Sequence, residues 1–532
     1  QAQAKAIGGL EIAPLDVDLV AARQDITLML VDKESELTGM IEYNVDLFNE
    51  STIQYFSEHF VNVLVQMVAD ANKPVAAVEV SSFEIAVPNG ETAEAVFPLT
   101  PMQRDFVLDS VRDSSTARNT VGYSVELPFA VDVDKWTEAV NKIAAEQPNQ
   151  RVRFVEGSAP WLESIYQAVQ PSVDVAVEFV DLPKHTNNEN LSETQIADWL
   201  RVTALIPWDV LGGELHKHWL VKVSDQRFIA LSSWHHAITD GTSEFVRAKQ
   251  TIAAYFDKET QSQSVEAYGQ QIAQRRITSD TSSMNQFWQS QLGNVETLGY
   301  RSKNPGSLNI NQILLAGDKK AAIESWCNEK GVSFVNLLRT LFALSVRNCF
   351  YQADDVALIE AVAARNAEER DSTGCYFQFA PSLFLGADCD KNGSIVELLN
   401  THRAWRKQLN DNVHLSFSAR GKVLSPEGLE FQFNYRPPEA SQGFDAEGQR
   451  CYLKAIQPDN PGMVKLLISP EPNNIALRLS YFDNEFDGFN LCERIVSVVD
   501  QIIAGTDQLS ELDWLIGDEK SEQLTQQLTQ QK

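Results

Sequence analysis

Apolar and polar residues alternate over residues 217–223 (KHWLVKV) and again over 227–234 (RFIALSSW), the period-two spacing of half-buried strands. Ser224, Asp225 and Gln226 lie between the two runs, so the pattern predicts a hairpin. The second strand leads into WHHAITDGTS, after which EFVRAKQTIAAYF takes up helical spacing, and a helix is expected to begin near Thr242 or Ser243. Further on, periodicity predicts helices around 318–329 and 333–350, then a buried strand in DDVALIEAVAA. Strands and helices alternate in both halves, the pattern of a mixed α/β (α+β) protein.

A second pattern occurs twice. ITLMLVDKESELTGMIEYNVDLFNESTIQYFSEHFVNVLVQMVA stands near the start and VKLLISPEPNNIALRLSYFDNEFDGFNLCERIVSVVDQIIAG near the end. Each reads as an apolar strand, a polar turn, a second strand ending in Tyr, a Phe five residues on, and a helix. Tyr43 matches Tyr481 and Phe48 matches Phe486 at the same interval. Phe56, Phe60, Leu64 and Met67 share one face of the first helix; Leu491, Ile495, Val498 and Ile502 share one face of the second. The repeat predicts that residues 1–85 close one domain, that residues 86–94 form a linker, and that a full domain of the same kind follows. Two unrelated strand–strand–helix endings are the plainer alternative.

Bulk properties narrow the function. A chain of 532 residues is too long for one ordinary core. Its 43 % apolar and 22 % charged residues are a globular composition, and a net charge of −29 without a Lys/Arg cluster excludes nucleic acid as a partner. No apolar run is long enough to span a bilayer, and the N-terminus lacks a basic region followed by an apolar stretch, so no membrane role and no signal peptide are expected. The six cysteines (Cys327, Cys349, Cys375, Cys389, Cys451, Cys492) show no metal-ligand spacing and read as reduced, mostly buried thiols of a cytoplasmic protein, with no metal. The chain starts without Met and ends in SEQLTQQLTQQK, so a longer parent chain is expected.

His235 and His236 are two of eight histidines, so their adjacency calls for an account. Adjacent side chains at a strand end face opposite ways, so one His reaches a cleft while the other packs inward. Asp240 is placed to anchor the loop through an arginine, and Gly241 to permit a tight turn before the helix. A neutral imidazole near pH 7 takes a proton from an attacking amine or hydroxyl, or orients it. A purely structural pair is the competing reading.

With these residues in hand, residues 95–517 resemble the condensation-domain superfamily of nonribosomal peptide synthetases. FPLTPMQRDFVLDS resembles its opening motif, NQRVRF the end of its second, and WHHAITDGTS its active-site motif. NQFWQSQL resembles the helix closing the first half; VSFVNLLRTLFALSVRNCFYQADDVALIEAVAARN and LEFQFNYRPPE resemble the second half. The resemblance implies two chloramphenicol-acetyltransferase-like lobes in a V shape, an N-terminal one over 95–270 and a C-terminal one over 271–517. A central tunnel between them would receive the phosphopantetheine arm of a partner carrier domain, with no intrinsic cofactor. It implies that His236 faces the tunnel and assists attack of an acceptor amine on a donor thioester, with His235 and Asp240 mainly structural. Gly241, Ser243 and Gln378 are the expected substrate-binding positions and Arg151 a structural support. Residues 1–85 resemble the tail of an upstream condensation domain, and LSELDWLIGDEKSEQL the connection, over 518–532, into an adenylation domain.

Departures from the family pattern matter equally. Glu146, Gln147 and Pro148 stand where the second motif begins Arg-His-Glu; in GCYFQFAPSLF, Gln378 replaces an Asn and Leu383 an Arg; NDNVHLSFSAR keeps little of the sixth motif. One condensation-type domain directly behind another also has no second amide bond to make. Three readings stand. The first is an interface platform that binds a carrier-tethered aminoacyl group and recruits a trans-acting enzyme, as the interface domains of siderophore synthetases recruit aspartate β-hydroxylases and as glycopeptide synthetases recruit oxygenases. The second is an amide-forming condensation domain. The third is epimerization, which fits the tandem placement least.

Overall fold

The computed structural model describes residues 5–7, 10–12, 24–33, 36–48, 50–71, 93–156, 165–279, 282–292, 305–349, 355–386, 388, 393–413, 431–436, 443–458, 464–470, 473–483 and 490–516. Residues 86–92 of the expected linker, Phe486 and the expected connection 518–532 lie outside them. The chain divides into two compact units, residues 1–90 with 156–165, and residues 91–155 with 166–532.

In the first unit, β1 (Ile26–Lys33) and β2 (Glu36–Tyr43) pair antiparallel, and α1 (Glu50–Ala69) follows. Ile53 of α1 is buried, whereas Leu30, Leu37, Val61 and Val65 are exposed.

The first half of the second unit contributes α2 (Pro101–Arg112), β3 (Thr120–Leu127), β4 (Val177–Asp181), β5 (His216–Ser224), β6 (Arg227–His235), α3 (Gly241–Tyr255) and α4 (Val265–Ser279). The predicted hairpin is β5 and β6, with Ser224 drawn into the ladder opposite Arg227, so the turn is Asp225 and Gln226. The second half contributes β7 (Pro305–Leu315), α5 (Phe334–Cys349), β8 (Val356–Ala363), β9 (Phe377–Phe384), β10 (Phe431–Tyr435), β11 (Leu453–Ile456), β12 (Val464–Pro470), β13 (Ile475–Asp483) and α6 (Leu491–Ile503). A helix at Gly317–Lys330, α5 and β8 answer the three elements predicted there from periodicity.

Two mixed sheets result, in the orders β11-β3-β6-β5-β4 and β7-β13-β12-β10-β8-β9. In β12 every second residue is buried: Val464, Leu466 and Ile468 join Leu338, Leu341 and Phe342 of α5 and Ile495 and Val498 of α6 in one core. Full burial of each such side chain contributes about 1.5–3 kcal/mol.

The expected division at residue 270 is crossed twice. Helix α4 runs through it without a break, and β11, from far beyond it, leaves the second half to pair with β3 of the first, Ala455 opposite Tyr123. A strand edge at β3 would otherwise leave its backbone polar groups without partners.

The sequence repeat is also a repeat of register. Lys465 pairs with Ser480 in β12 and β13 where Thr27 pairs with Glu42 in β1 and β2, and the whole of each shared ladder keeps that correspondence. The surroundings differ. Ile468 and Val499 are 0 % and 1 % exposed, while Leu30 and Val61 at the matching positions are 46 % and 55 % exposed.

Cys327, Cys375, Cys451 and Cys492 are buried free thiols, and burial pushes the pKa of each up. No helix among the described residues is long and apolar enough to cross a membrane.

Candidate functional site

Helix α2 begins with a capping box: the Thr100 hydroxyl accepts from the Gln103 backbone N–H, and the Gln103 side-chain oxygen accepts from the Thr100 N–H. Gln103, Phe106 and Ser110 are spaced for one helix face, and that face meets the His-His loop. The Gln103 amide donates to the Ala237 carbonyl at 3.1 Å, Phe106 stacks on the His236 ring at 5.0 Å between centroids, and Ser110 Oγ lies 2.9 Å from His235 Nε2. The opening motif thus holds the loop at three points.

The two histidines face different surroundings, as their position at the end of β6 predicts. His235 is 1 % exposed; its Nδ1 accepts from the Ala237 N–H, so its proton sits on Nε2 and is given to Ser110. Burial pushes its pKa down to about 3, so it stays neutral. His236 lines a cavity of about 1820 Å³. Its Nδ1 lies 3.0 Å from the Thr239 carbonyl, which can only accept, so Nδ1 carries the proton and Nε2 keeps its lone pair. Phe106 and Phe377, at 5.0 and 4.8 Å and themselves 5.8 Å apart, form an aromatic corner against the ring. Burial lowers the His236 pKa, partly offset by the Thr239 hydrogen bond and the Asp240 charge, so the neutral ring is the form present at pH 7.

Asp240, 3 % exposed, is the N-cap of α3, so the helix begins at Gly241, one or two residues earlier than expected: the Asp240 Oδ1 accepts from the Ser243 N–H at 2.7 Å. The arginine that meets it is Arg365, at 2.8 and 3.0 Å, and the Tyr376 N–H donates to its other oxygen. Burial alone would raise the Asp240 pKa, but the Arg365 charge and these donors outweigh it and hold it below the usual value. Arg365 also donates to the carbonyls of Glu369 and Ser372, which fixes the 366–376 loop against the start of α3.

The remaining expected positions divide. Gly241 lines the cavity but is helical, not a left-handed turn residue; a Cβ there would meet nothing within 4 Å, so the glycine leaves the cavity wall bare rather than turning the chain. Ser243 is fully buried, its hydroxyl bonded to Asp240, Arg365 and the backbone of Gly374. Gln378 points to the opposite face of β9 from Phe377 and Phe379, which are the residues at the cavity; it pairs with Val362, a residue of the apolar core around Trp288. Alternation along the strand makes the two faces exclusive. Arg151, 7 % exposed, pairs with Glu94 at 2.6 Å and donates to the Gln170 carbonyl. Gln147, in the departed second motif, donates to Gln250 and the Gln261 carbonyl, and the single hydroxyl proton of Thr373 is shared between Asn149 Oδ1 at 2.6 Å and Gln147 Oε1 at 2.9 Å. Gln147, which stands where the family pattern has His, and Asn149 thereby tie the two halves together through Thr373.

Two groups of cavity residues escaped sequence reasoning. One is the aromatic set, Phe106, Phe377 and Phe379, present within quoted motifs but indistinguishable there from core residues. The other is a polar wall on the second sheet and β11: Gln432, Asn434, Arg436, Gln457 and Lys465. Lys465 donates to Gln457 at 2.8 Å. No cluster of metal-ligating side chains occurs among the described residues.

Comparison with known proteins places this geometry. The family model described as "Condensation domain" matches residues 93–381. One of the linear gramicidin synthase proteins of Brevibacillus parabrevis is 22 % identical over 405 residues, 70 % of this chain. The chain spans about 5 % of that relative's length. The first condensation domain of the calcium-dependent antibiotic synthetase, solved with a substrate analogue, superposes with a TM-score of 0.67 at 16 % identity, over 80 % of this chain and 100 % of that one. The X-domain in complex with OxyB from teicoplanin biosynthesis superposes with a TM-score of 0.61 at 15 % identity, over 80 % of this chain and 98 % of that one.

Proposed function

The chain belongs to the condensation-domain family of nonribosomal peptide synthetases, and on that premise we propose that residues 95–517 form an interface platform: the cavity binds an aminoacyl group on the phosphopantetheine arm of a carrier domain, and an outer surface recruits a trans-acting tailoring enzyme, such as an aspartate β-hydroxylase in siderophore-type synthesis. The observation that carries this reading is the repeat of register between β1–β2 and β12–β13. Two strand–strand–helix endings of one kind support an upstream condensation domain ending by about residue 85. The apolar positions exposed in the first copy and buried in the second are those such a domain's own core would cover. Two condensation-type domains in tandem leave one of them without an amide bond to make. That one domain of this fold was solved as a complex with OxyB adds support for a docking role. Retention of the histidine loop fits the platform, because His235 and Asp240 each hold structure apart from any chemistry.

One observation favours amide formation as the second reading. His236 presents a neutral Nε2 at the cavity wall, the form that takes a proton from an attacking amine. Holding two tethered substrates beside it would supply much of the rate. His236→Ala in the parent synthetase separates the two readings. On the platform reading the peptide still forms, while removal of residues 95–517 abolishes the tailoring step and capture of the hydroxylase from the same gene cluster. Loss of the amide product on His236→Ala alone sinks it.

A further inference from the structure

Helix α3 walls two spaces. Besides the cavity at His236, a compartment of about 50 Å³ lies between the first sheet, α3 and the helix Val133–Glu146. Among the described residues, Tyr123 and Leu453 alone line both.

Strand β3 gives the order of the two spaces. Thr120 stands opposite His235 in the ladder, and from there Val121, Tyr123 and Val125 share one face. Val121 lines the large cavity, Tyr123 lines both spaces, and Val125 lines the small one alone. Two strand residues span about 7 Å, so along β3 the large cavity reaches about that far past Val121 before it meets the Tyr123 ring. Strand β11 repeats the order: Ala455, opposite Tyr123, lines the large cavity, and Leu453, opposite Val125, lines both.

Tyr123 is buried, yet it does not serve as an ordinary core side chain. Interior side chains fill space with few voids, whereas this ring has a void on each side and acts as a partition. Behind it, Trp136, Val140, Trp234, Ala248 and Ile252 supply apolar wall. The charged groups there answer one another: Arg247 pairs with Glu244 and lies over the Trp234 ring. With the ring in place the compartment has room for about one or two water molecules and for little else.

We propose that Tyr123, backed by Leu453, sets the depth of the cavity: an acyl group brought to His236 on an arm and running along β3 is stopped at that ring. The inference rests on the arm-binding reading above and adds a limit of length at the cavity's inner end. Removing the ring joins the two spaces, and each further methylene then buried should tighten binding about fourfold.

Calorimetric titration of the full chain with butanoyl-, hexanoyl- and octanoyl-aminopantetheine tests it. On the unaltered chain the octanoyl compound is expected to bind no more tightly than the butanoyl one. Tyr123→Ala should tighten octanoyl binding at least tenfold and leave butanoyl binding within about twofold, and Leu453→Ala should act in the same direction. Tyr123→Phe, which keeps the ring, should change neither. Adding Ala248→Leu to Tyr123→Ala refills the compartment and should abolish the gain. An unchanged ratio of octanoyl to butanoyl binding in Tyr123→Ala overturns the inference and leaves arm binding standing. So does a gain that survives Ala248→Leu, because the chain then lies elsewhere. If none of the compounds binds, the arm-binding reading falls, and the inference with it. Should Tyr123→Ala not fold, the unaltered chain still decides: octanoyl binding ten or more times tighter than butanoyl means that nothing stops the longer chain, and the inference is overturned.

Discussion

Asp240 shows how one side chain can matter to a site without touching what the site binds. Its carboxylate is buried, accepts from Ser243 and Tyr376, and pairs with an arginine 125 positions away. Removing one partner of a buried, hydrogen-bonded pair leaves the other charge uncompensated. Asp240→Ala should therefore cost about 3–5 kcal/mol in chemical denaturation, as should Arg365→Ala, while the double variant costs less than the two together. A loss below about 1 kcal/mol for Asp240→Ala, the range of a solvent-exposed pair, would show that the clamp is not there. Gly241 makes the opposite case. Since an added Cβ meets nothing, Gly241→Ala should change stability by less than about 1 kcal/mol. Gly241→Phe should keep the melting temperature and weaken binding of a pantetheine arm at least tenfold; unchanged binding would remove Gly241 from the wall the arm follows. The histidine loop and Asp240 could be singled out from the sequence because their spacing is local. Arg365 could not, because nothing in a linear pattern identifies which of many arginines returns from 125 residues downstream.

At the level of elements, periodicity located the β5–β6 hairpin, α5 and β8 closely, since each buries one face and so keeps its apolar spacing. It placed the start of α3 one or two residues late, because Asp240 caps the helix and Gly241 is already inside it. Gln378 shows the limit of motif matching in a strand: one step of register exchanges the faces, and the cavity receives Phe377 and Phe379 instead. Strand β11 had no sequence signal at all, being only Leu453–Ile456 and defined by what it pairs with. Its role is testable. Ala455→Pro removes a backbone donor opposite Tyr123, and amide exchange through Thr120–Leu127 should quicken while β12 and β13 keep their protection. Unchanged exchange in Thr120–Leu127 would mean that the first sheet holds its edge without the visiting strand.

The whole molecule stores a pH response in its histidines. Burial depresses His216 to about 4, His235 and His402 to about 3, and His218 well below the usual imidazole value. A folded-state pKa below that of the unfolded chain means that the unfolded state takes up protons first. Stability from this source is complete above about pH 6.5 and is lost as pH falls towards the folded values, by about 1.4 kcal/mol per pH unit for each such histidine. Melting temperature should fall steadily between pH 7 and pH 5, a window above the range in which Asp240, Glu360 and Glu369 take up protons. His402 packs on Phe384 with its Nε2 unpartnered, so His402→Leu should lessen that slope by one proton's worth; a flat profile in the parent chain contradicts the assignment.

The loan of β11 to the other sheet has a consequence for a ribosome. Residues 120–127 leave the exit tunnel more than three hundred residues before the strand that covers their outer edge. Throughout that interval the nascent first half presents a ready template for β-pairing with a neighbouring chain on the same polysome. Completion of the first sheet waits on the last hundred residues of the described chain, so truncated products should aggregate as β-paired species rather than persist as half-molecules.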